Sequence, residues 1–395
     1  MLKKKESEKI QQFVKELSTR PRVIDLFAGV GGLSLGAARA GFDVALAVEL
    51  DNHAIAAHKI NFPQITHLAE NIFNLDGEKL LAHAGVAKGE LDGLIGGPPC
   101  QGFSVIGYRS VVDPRNNLFH KFFELVAECR PKFFVAENVL GILDEQYLAI
   151  REKALALVRG QYILLEPMRL KANDFGAPTS RERAFFIGYR QDSVHKMTSL
   201  DFDAVKSKRS VTVEEALQGL PSHIRSAWIT MEQGLRKVTE MRKTDFSERI
   251  VNGIPQGIGD AESIRRFKEE MIVSGCMGTR HSAEVQARYQ SLKPGQQDKT
   301  SKSVRLKLDG LCPTLRAGTA ADKGSYQAVR PIHPTASRVI TPREAARLQG
   351  FPDWFQFAPS KWHSFRQIGN SVSPFVAEAV LSVIYSKLIA SPPHK

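Results

Sequence analysis

Apolar and polar residues follow two rhythms along this chain, and the change between them divides it. In the first half, short apolar runs alternate with longer stretches of helical spacing. Val23 to Phe27 reads as a strand, followed by a Gly-rich turn and a helix from Gly32 to Ala40. Val44–Leu50, Gly93–Gly96, Phe133–Glu137, Ile163–Pro167 and Ala184–Tyr189 read as further strands. Leu118–Cys129 and Leu148–Val158 have helical periodicity. Strands alternating with helices predict an α/β fold, a mostly parallel sheet with helices on both faces.

The rhythm breaks after Tyr189. The chain becomes rich in Ser, Gly, Lys, Arg and Gln and reads as a second, smaller and irregular domain over residues 191–364. Order returns at TPREAARL, where Thr341 is placed to cap a helix, Pro342 to open it and Glu344 to complete a capping box. A last apolar helix is expected from Ser373 to Ile389. Residues 1–20 read as a basic helix or a frayed tail.

Composition narrows the class. Hydrophobic residues make up 43% and charged residues 24%, which excludes disorder over most of the chain. No apolar run reaches the roughly 20 residues of a membrane helix. The basic start lacks the apolar stretch of a secretory signal, so no membrane partner is expected. Four cysteines at irregular spacing fit neither a disulfide framework nor a metal site, and suit a reducing cytoplasm. The net charge is +12, which permits a nucleic-acid partner without establishing one. Its distribution is uneven: residues 1–190 carry +2, whereas residues 280–330 alone carry +6.

Four places carry candidate chemistry. DLFAGVGG (Asp25–Gly32) puts Gly29, Gly31 and Gly32 where a strand turns into a helix, so a ligand can approach the backbone there. Glu49 ends the next strand, at a distance that suits the two hydroxyls of a ribose. The spacing is not that of a dinucleotide site and favours another adenosine-containing cofactor over a nicotinamide or a flavin. GGPPCQGFS (Gly96–Ser104) presents Cys100 on a stiff Pro-Pro segment at a strand end. A thiolate there is the strongest nucleophile among ordinary side chains. Cys129, on an apolar helical face, reads as core. FFVAENV ends a strand in Glu137, a carboxyl able to hold a proton or, equally, to cap a helix with Asn138. RERAFFIG sets Arg181 and Arg183 on one side of a strand entry, where they can bind phosphate or a base carbonyl, or merely be solvated.

Taken together, these blocks resemble the cytosine carbon-5 DNA methyltransferases. The resemblance covers most of the chain, in the family's order. DLFAGVGG, AVELD (Ala47–Asp51), GGPPCQGFS, ENV (Glu137–Val139) and RERAFFIG (Arg181–Gly188) are joined by RVITPREAARLQGFPDWF (Arg338–Phe355) and QIGNSVSP (Gln367–Pro374). Two positions depart from the pattern: Asn71 stands where many members have Asp, and Thr179-Ser180 where many have Gln.

The resemblance implies a Rossmann-like methyltransferase domain over residues 1–190, completed by 365–395, with the target-recognition domain at 191–364. It implies S-adenosylmethionine as methyl donor, S-adenosylhomocysteine as product, no metal, and a flipped-out cytosine of double-stranded DNA as substrate. Cys100 would attack carbon 6, Glu137 hold the ring at N3 and its amino group, and Arg183, with Arg181, the carbonyl. Phe27, Ala28, Gly29, Val30 and Gly32 would line the methionine part, and Glu49 take the ribose. Leu50, Asn71, Ile72 and Pro98 would border the adenine. Leu118, Asn370, Ser371 and Val372 would close the pocket. Residues 105–117 fall where the family has a mobile loop, so Ser104, Arg109 and Arg115 would meet DNA, as would Arg280, Arg305 and Arg316 from the recognition domain. Taken alone, each arginine of the recognition domain reads more readily as a solvated surface charge than as a base reader. A monomer is expected, with a cognate restriction endonuclease as the partner the resemblance allows for. Competing readings are a transfer-RNA cytosine methyltransferase on the same scaffold and a non-catalytic DNA-binding module.

Overall fold

The computed structural model describes residues 20–99, 116–224, 234–318 and 329–389. The N-terminal segment through residue 19 therefore lies outside the described residues, as do Cys100, Ser104, Arg109 and Arg115. Strands β1 (Arg22–Leu26), β2 (Asp43–Val48), β3 (Thr66–Leu68), β4 (Gly93–Gly96), β5 (Phe133–Asn138), β6 (Ile163–Leu164), β7 (Met168–Lys171) and β8 (Glu182–Tyr189) form one sheet. Its order is β3-β2-β1-β4-β5-β8-β6, with β7 also paired to β8. Strands β1 to β5 pair in parallel. β8 runs antiparallel to β5, β6 and β7. The strand expected over Ile163–Pro167 is shortened to Ile163–Leu164, and a separate strand, β7, begins only after Pro167, which has no N–H to give to a ladder.

Helices α1 (Gly32–Ala40), α2 (Asn52–Asn61), α3 (Gly77–Ala84), α4 (Asn116–Cys129) and α5 (Leu148–Ala156) surround the sheet. The strands are apolar on both faces, as the sequence rhythm requires. Ile24, Leu26, Leu94, Phe134, Ala184 and Phe186 pack with Leu80 of α3 and Phe119, Phe122 and Phe123 of α4. Val23, Ile95, Phe133, Val135, Phe185 and Ile187 pack the other face with α1.

Short elements follow: α6 (Ser199–Asp203), α7 (Val213–Leu217), β9 (Arg236–Lys237), α8 (Asp245–Val251), α9 (Ala261–Glu270), β10 (Ile272–Val273) and α10 (Ala283–Ser291). β9 and β10 form a small antiparallel pair. The core against α1 continues into this region through Phe246, Phe267, Cys276, Leu306, Cys312 and Leu315.

Helix α11 (Pro342–Gln349) starts as expected: Thr341 and Glu344 form a capping box, with Pro342 in the first turn. Helices α12 (Lys361–Asn370) and α13 (Pro374–Ile389) end the described chain. Residues 361–388 are apolar enough by composition for a membrane span, but they form two helices and most of their surface is buried. α13 lies along α1. Gly36 permits this, since a Cβ there would fall 2.6 Å from the Glu378 backbone nitrogen. Phe42 and Tyr385 add an edge-to-face contact at 5.1 Å. The C-terminal segment is thereby part of the sheet's own core.

Candidate active site

The functional side chains gather at the carboxyl edge of the sheet because the parallel strands β1, β2, β4 and β5 all end there. β8 joins them by running the other way. Its register sets Ala184 opposite Asn138 and Phe185 opposite Glu137, so Arg183, at the start of β8, arrives beside the end of β5.

The turn after β1 is held in a strained form. Phe27 has φ 58° and Gly29 φ 57°, both left-handed. Gly31, at φ 103°, caps α1 without a side chain, and a Cβ on it would run into the Phe62 ring. A Cβ on Gly29 would meet nothing within 4 Å, so the turn opens a space there. Gly32 sits under the carbonyl of Val372. Of the three residues expected to close the pocket, Ser371 and Val372 are buried and Asn370 is exposed.

Glu49 follows β2 and is locked by two backbone donors. Gly29 N–H donates to Oε2 at 2.8 Å and Asp51 N–H to Oε1 at 2.8 Å. Burial pushes its pKa up, and these donors oppose the shift. Each oxygen keeps a lone pair for a hydroxyl. Leu50, next in the chain, is exposed, Ile72 is buried and Phe73 is half-exposed. Asn71 is exposed and caps the turn of residues 72–74, its Oδ1 accepting from Phe73 N–H at 3.1 Å. Pro98 is buried, and Leu118 partly so.

Beneath the turn runs a polar chain absent from the sequence reading. Ser34 Oγ donates to Asp25 Oδ2 at 2.6 Å, His58 Nε2 lies 3.0 Å from Ser34 Oγ, and His67 Nε2 lies 2.8 Å from His58 Nδ1. Asp25, Ser34 and His58 are fully buried. Burial pushes Asp25 up to about 7, against the Ser34 hydrogen bond and with help from Glu49. Burial, then His67, holds His58 well below the usual histidine range. The signal available in sequence was one acid in an apolar strand.

The second half of the site is a carboxylate beside two guanidiniums. Glu137 is 7% exposed, and Arg183 Nε lies 3.0 Å from its Oε1. That oxygen accepts no aligned hydrogen bond among the described residues. Burial pushes the Glu137 pKa up, while Arg183 and Arg181 pull it down. Gly97 keeps the approach open, since a Cβ there would lie 3.2 Å from Glu137 Oε2. Asn138 does not cap with Glu137. It donates to the Pro98 carbonyl at 3.4 Å and so ties β5 to the Pro-Pro segment before Cys100.

Arg181 is placed differently from the expectation. It is buried, and Nη1 donates to the carbonyls of Gly369 at 3.0 Å and Leu315 at 3.4 Å. Its charge reaches Glu137, while Nη1 is directed at backbone and Nε is buried with no partner among the described residues. Of the candidate DNA contacts, Arg280 and Arg316 are exposed. Arg305 spends its donors on the carbonyls of Tyr289, Gln290, Leu292 and Pro334, each at 3.0 Å, which makes it a strut for the end of α10. Among the described residues no group of three His, Cys, Asp or Glu is arranged to hold a metal.

Comparison with known proteins gives a consistent family. The family model described as C-5 cytosine-specific DNA methylase matches residues 21–386. The chain is 39% identical over 383 residues to the type II methyltransferase M.XorII of Xanthomonas oryzae pv. oryzae, covering 95% of this chain and 87% of that protein. It is 29% identical to the type II methyltransferase M.AgeI of Thalassovita gelatinovora, covering 92% and 99%. Among solved structures, a prophage-encoded protein of E. coli assigned as a DNA modification methyltransferase is 49% identical with a TM-score of 0.83, covering 93% and 99%. The Dnmt2 methyltransferase of S. pombe, 17% identical with a TM-score of 0.61 over 94% and 100%, shares the fold.

Proposed function

Because the chain belongs to the C-5 cytosine-specific DNA methylase family and is a DNA (cytosine-5-)-methyltransferase like its type II relatives, we propose that it modifies a flipped-out cytosine through Cys100 with S-adenosylmethionine as methyl donor. The observation that carries this reading is the Glu137–Arg183 pair, held beside the strand end that leads into Cys100, on the same sheet edge as Glu49.

The residues fit the cofactor. The space before Gly29 would take the methionine part, the Glu49 carboxylate the ribose hydroxyls, and Leu50 and Ile72 the adenine. Asn71 keeps an acceptor lone pair for an amino group while it caps its turn. Val30, Ala28 and Phe27 would line the methionine part, with Pro98, Leu118 and residues 370–372 around the remainder. When bound, S-adenosylmethionine supplies a methyl group from its sulfonium.

The target base must leave the stack for carbon 5 and carbon 6 to be reached, at a cost of a few kcal/mol. The Cys100 thiolate adds to carbon 6, and carbon 5 becomes electron-rich enough to take the methyl group. Glu137 must carry a proton to donate to N3, and its burial favours that form. Arg183 holds the carbonyl oxygen and stabilises charge that develops during attack. A base, the role proposed for a water, then takes the carbon-5 proton and the thiolate leaves, while N3 returns its proton to Glu137, which restores the aromatic ring and the free enzyme. Arg181 acts in this scheme through position and field rather than by touching the base.

The division of the chain is proposed on the same footing: residues 1–190 with the C-terminal helices form the catalytic unit, and residues 191–364 the recognition unit. Arg280 and Arg316 are the DNA contacts kept from the described residues, with Ser104, Arg109 and Arg115 from the catalytic loop. A restriction endonuclease of the same specificity is the proposed partner.

The test is transfer of tritiated methyl groups from S-adenosylmethionine to unmethylated phage lambda DNA and, in parallel, to bulk transfer RNA. Label is expected in DNA and lost in Cys100→Ser. Undiminished DNA labelling by that variant would remove Cys100 as the nucleophile, and label in transfer RNA alone would replace the substrate.

A further inference from the structure

We propose that Asp25 distinguishes the methyl donor from its product by charge: it gives up a proton when the cationic sulfonium ligand occupies the turn after β1, and the chain Asp25–Ser34–His58–His67 carries that proton to the surface. The inference rests on the proposed function, which supplies the ligand, and adds a proton to its binding.

Asp25 stands two residues before Phe27, where the left-handed turn begins. The chain it heads lies directly below that turn, since a Cβ on Gly31 would come within 3.1 Å of the His58 ring. Asp25 is fully buried, and its Oδ1 has no hydrogen-bond partner among the described residues. Burial favours a proton on it, the Ser34 hydrogen bond opposes this, and Glu49, a second acid, adds to it. No Lys or Arg among the described residues bears on it. S-adenosylmethionine carries a sulfonium that S-adenosylhomocysteine lacks. A cation on the turn would be the countercharge Asp25 is missing, and an opposite charge nearby favours an ionised carboxyl.

The chain has the chemistry to move the proton. Its three links measure 2.6, 3.0 and 2.8 Å. A hydroxyl and a neutral imidazole both donate and accept, so each link can run in either sense. With Asp25 ionised, Ser34 donates to it, His58 Nε2 to Ser34, and His67 Nε2 to His58 Nδ1. With Asp25 protonated, every link reverses. Passage outward moves one hydrogen along each link: Asp25 to Ser34, Ser34 to His58 Nε2, and His58 Nδ1 to His67 Nε2. His67 then loses its other ring proton to water. Burial, then His67, keeps His58 neutral at rest, as a carrier must be. His67 is half-buried. Burial chiefly, with Lys59, holds its pKa low against a hydrogen bond to the Ile65 backbone, so the proton goes on to solvent.

The experiment is titration calorimetry of the full chain with S-adenosylmethionine and, separately, S-adenosylhomocysteine at pH 6.5, in buffers of different ionisation enthalpy. The change of heat with buffer counts the protons released. The comparison cancels protons that the shared ribose takes from Glu49. S-adenosylmethionine is expected to release about half a proton or more beyond S-adenosylhomocysteine. Its affinity relative to the product should rise about five- to tenfold from pH 6 to pH 8. Equal release by the two ligands overturns the proposal. In Asp25→Asn the excess release should vanish, and its persistence overturns the assignment to Asp25. Should that variant not fold, the wild type decides by infrared spectroscopy: a protonated-carboxyl band should fade with S-adenosylmethionine alone, and a band that neither ligand changes overturns the proposal. Ser34→Ala cuts the chain, so proton release followed by a pH-indicator dye in stopped flow should lag binding, and release that keeps pace overturns the route. Failure of the wild type to bind either ligand would count against the proposed function instead.

Discussion

Asp25 is the residue whose surroundings make the sharpest claim. Its folded pKa of about 7 stands above its ordinary value of 3.8 because it is buried. Between those two values the native state keeps a proton that the unfolded chain has lost. Stability from this group therefore falls as pH rises from about 4 to about 7 and is level above. An asparagine cannot ionise, so Asp25→Asn removes that decline. Relative to wild type, the variant should gain roughly 3 kcal/mol of unfolding free energy between pH 5 and pH 8. Urea titrations of both proteins at the two values measure it, and a flat difference would show that Asp25 is ionised throughout. Its chain of partners was not legible in sequence, because Ser34, His58 and His67 come from three different elements that only the fold brings together. Glu49, Glu137 and Arg183 were legible for the opposite reason: each ends or begins a strand, and strand ends of such a sheet share one edge. Arg181 was half legible. Its presence in the site could be read, but the carbonyls it holds lie 134 and 188 residues away.

At the scale of elements, α11 combines a charged composition with full burial: all eight residues of PREAARLQ are buried. Its start was readable from the capping box. Its role was not, because the charges are satisfied at a distance. Arg347 forks onto Asp353 at 2.8 and 2.6 Å and also reaches the carbonyls of Ala216 and Gln218. Arg343 is held by the carbonyls of Ser274, Pro352 and Phe355. Arg338 forks onto Glu344 at 2.9 and 2.7 Å. Helix α11 thus clamps the irregular region where few regular ladders exist to do so. Removing one partner of a buried pair leaves the other charge without compensation, at a cost of about 3–5 kcal/mol. Arg347→Ala and Asp353→Ala should each lose that much by chemical denaturation. The double variant should lose much less than the sum of the two. Full additivity would mean that the pair does not act as a unit.

Over the whole molecule, charge and fold divide the work. The sheet half, where the proposed cofactor and one base would sit, carries +2 through residue 190, whereas residues 280–330 carry +6. The structure separates that basic stretch into two kinds of arginine. Arg280 and Arg316 are exposed, while Arg305 is consumed by four carbonyls. Sequence could place the stretch but not sort its members, since sorting depends on which backbone groups end nearby. The distinction can be measured. Each phosphate contact adds about 0.9 to the slope of log affinity against log salt. Arg280→Gln and Arg316→Gln should each flatten the slope for unmethylated lambda DNA by about 1 while leaving the melting temperature where it was. Arg305→Gln should do the reverse, lowering the melting temperature with little change in slope for the protein that remains folded. If Arg305→Gln flattens the slope with unchanged melting, the strut assignment fails and Arg305 returns to the DNA face. If neither exposed arginine moves the slope, the duplex lies elsewhere, and the excess charge near residue 300 steers DNA without touching it.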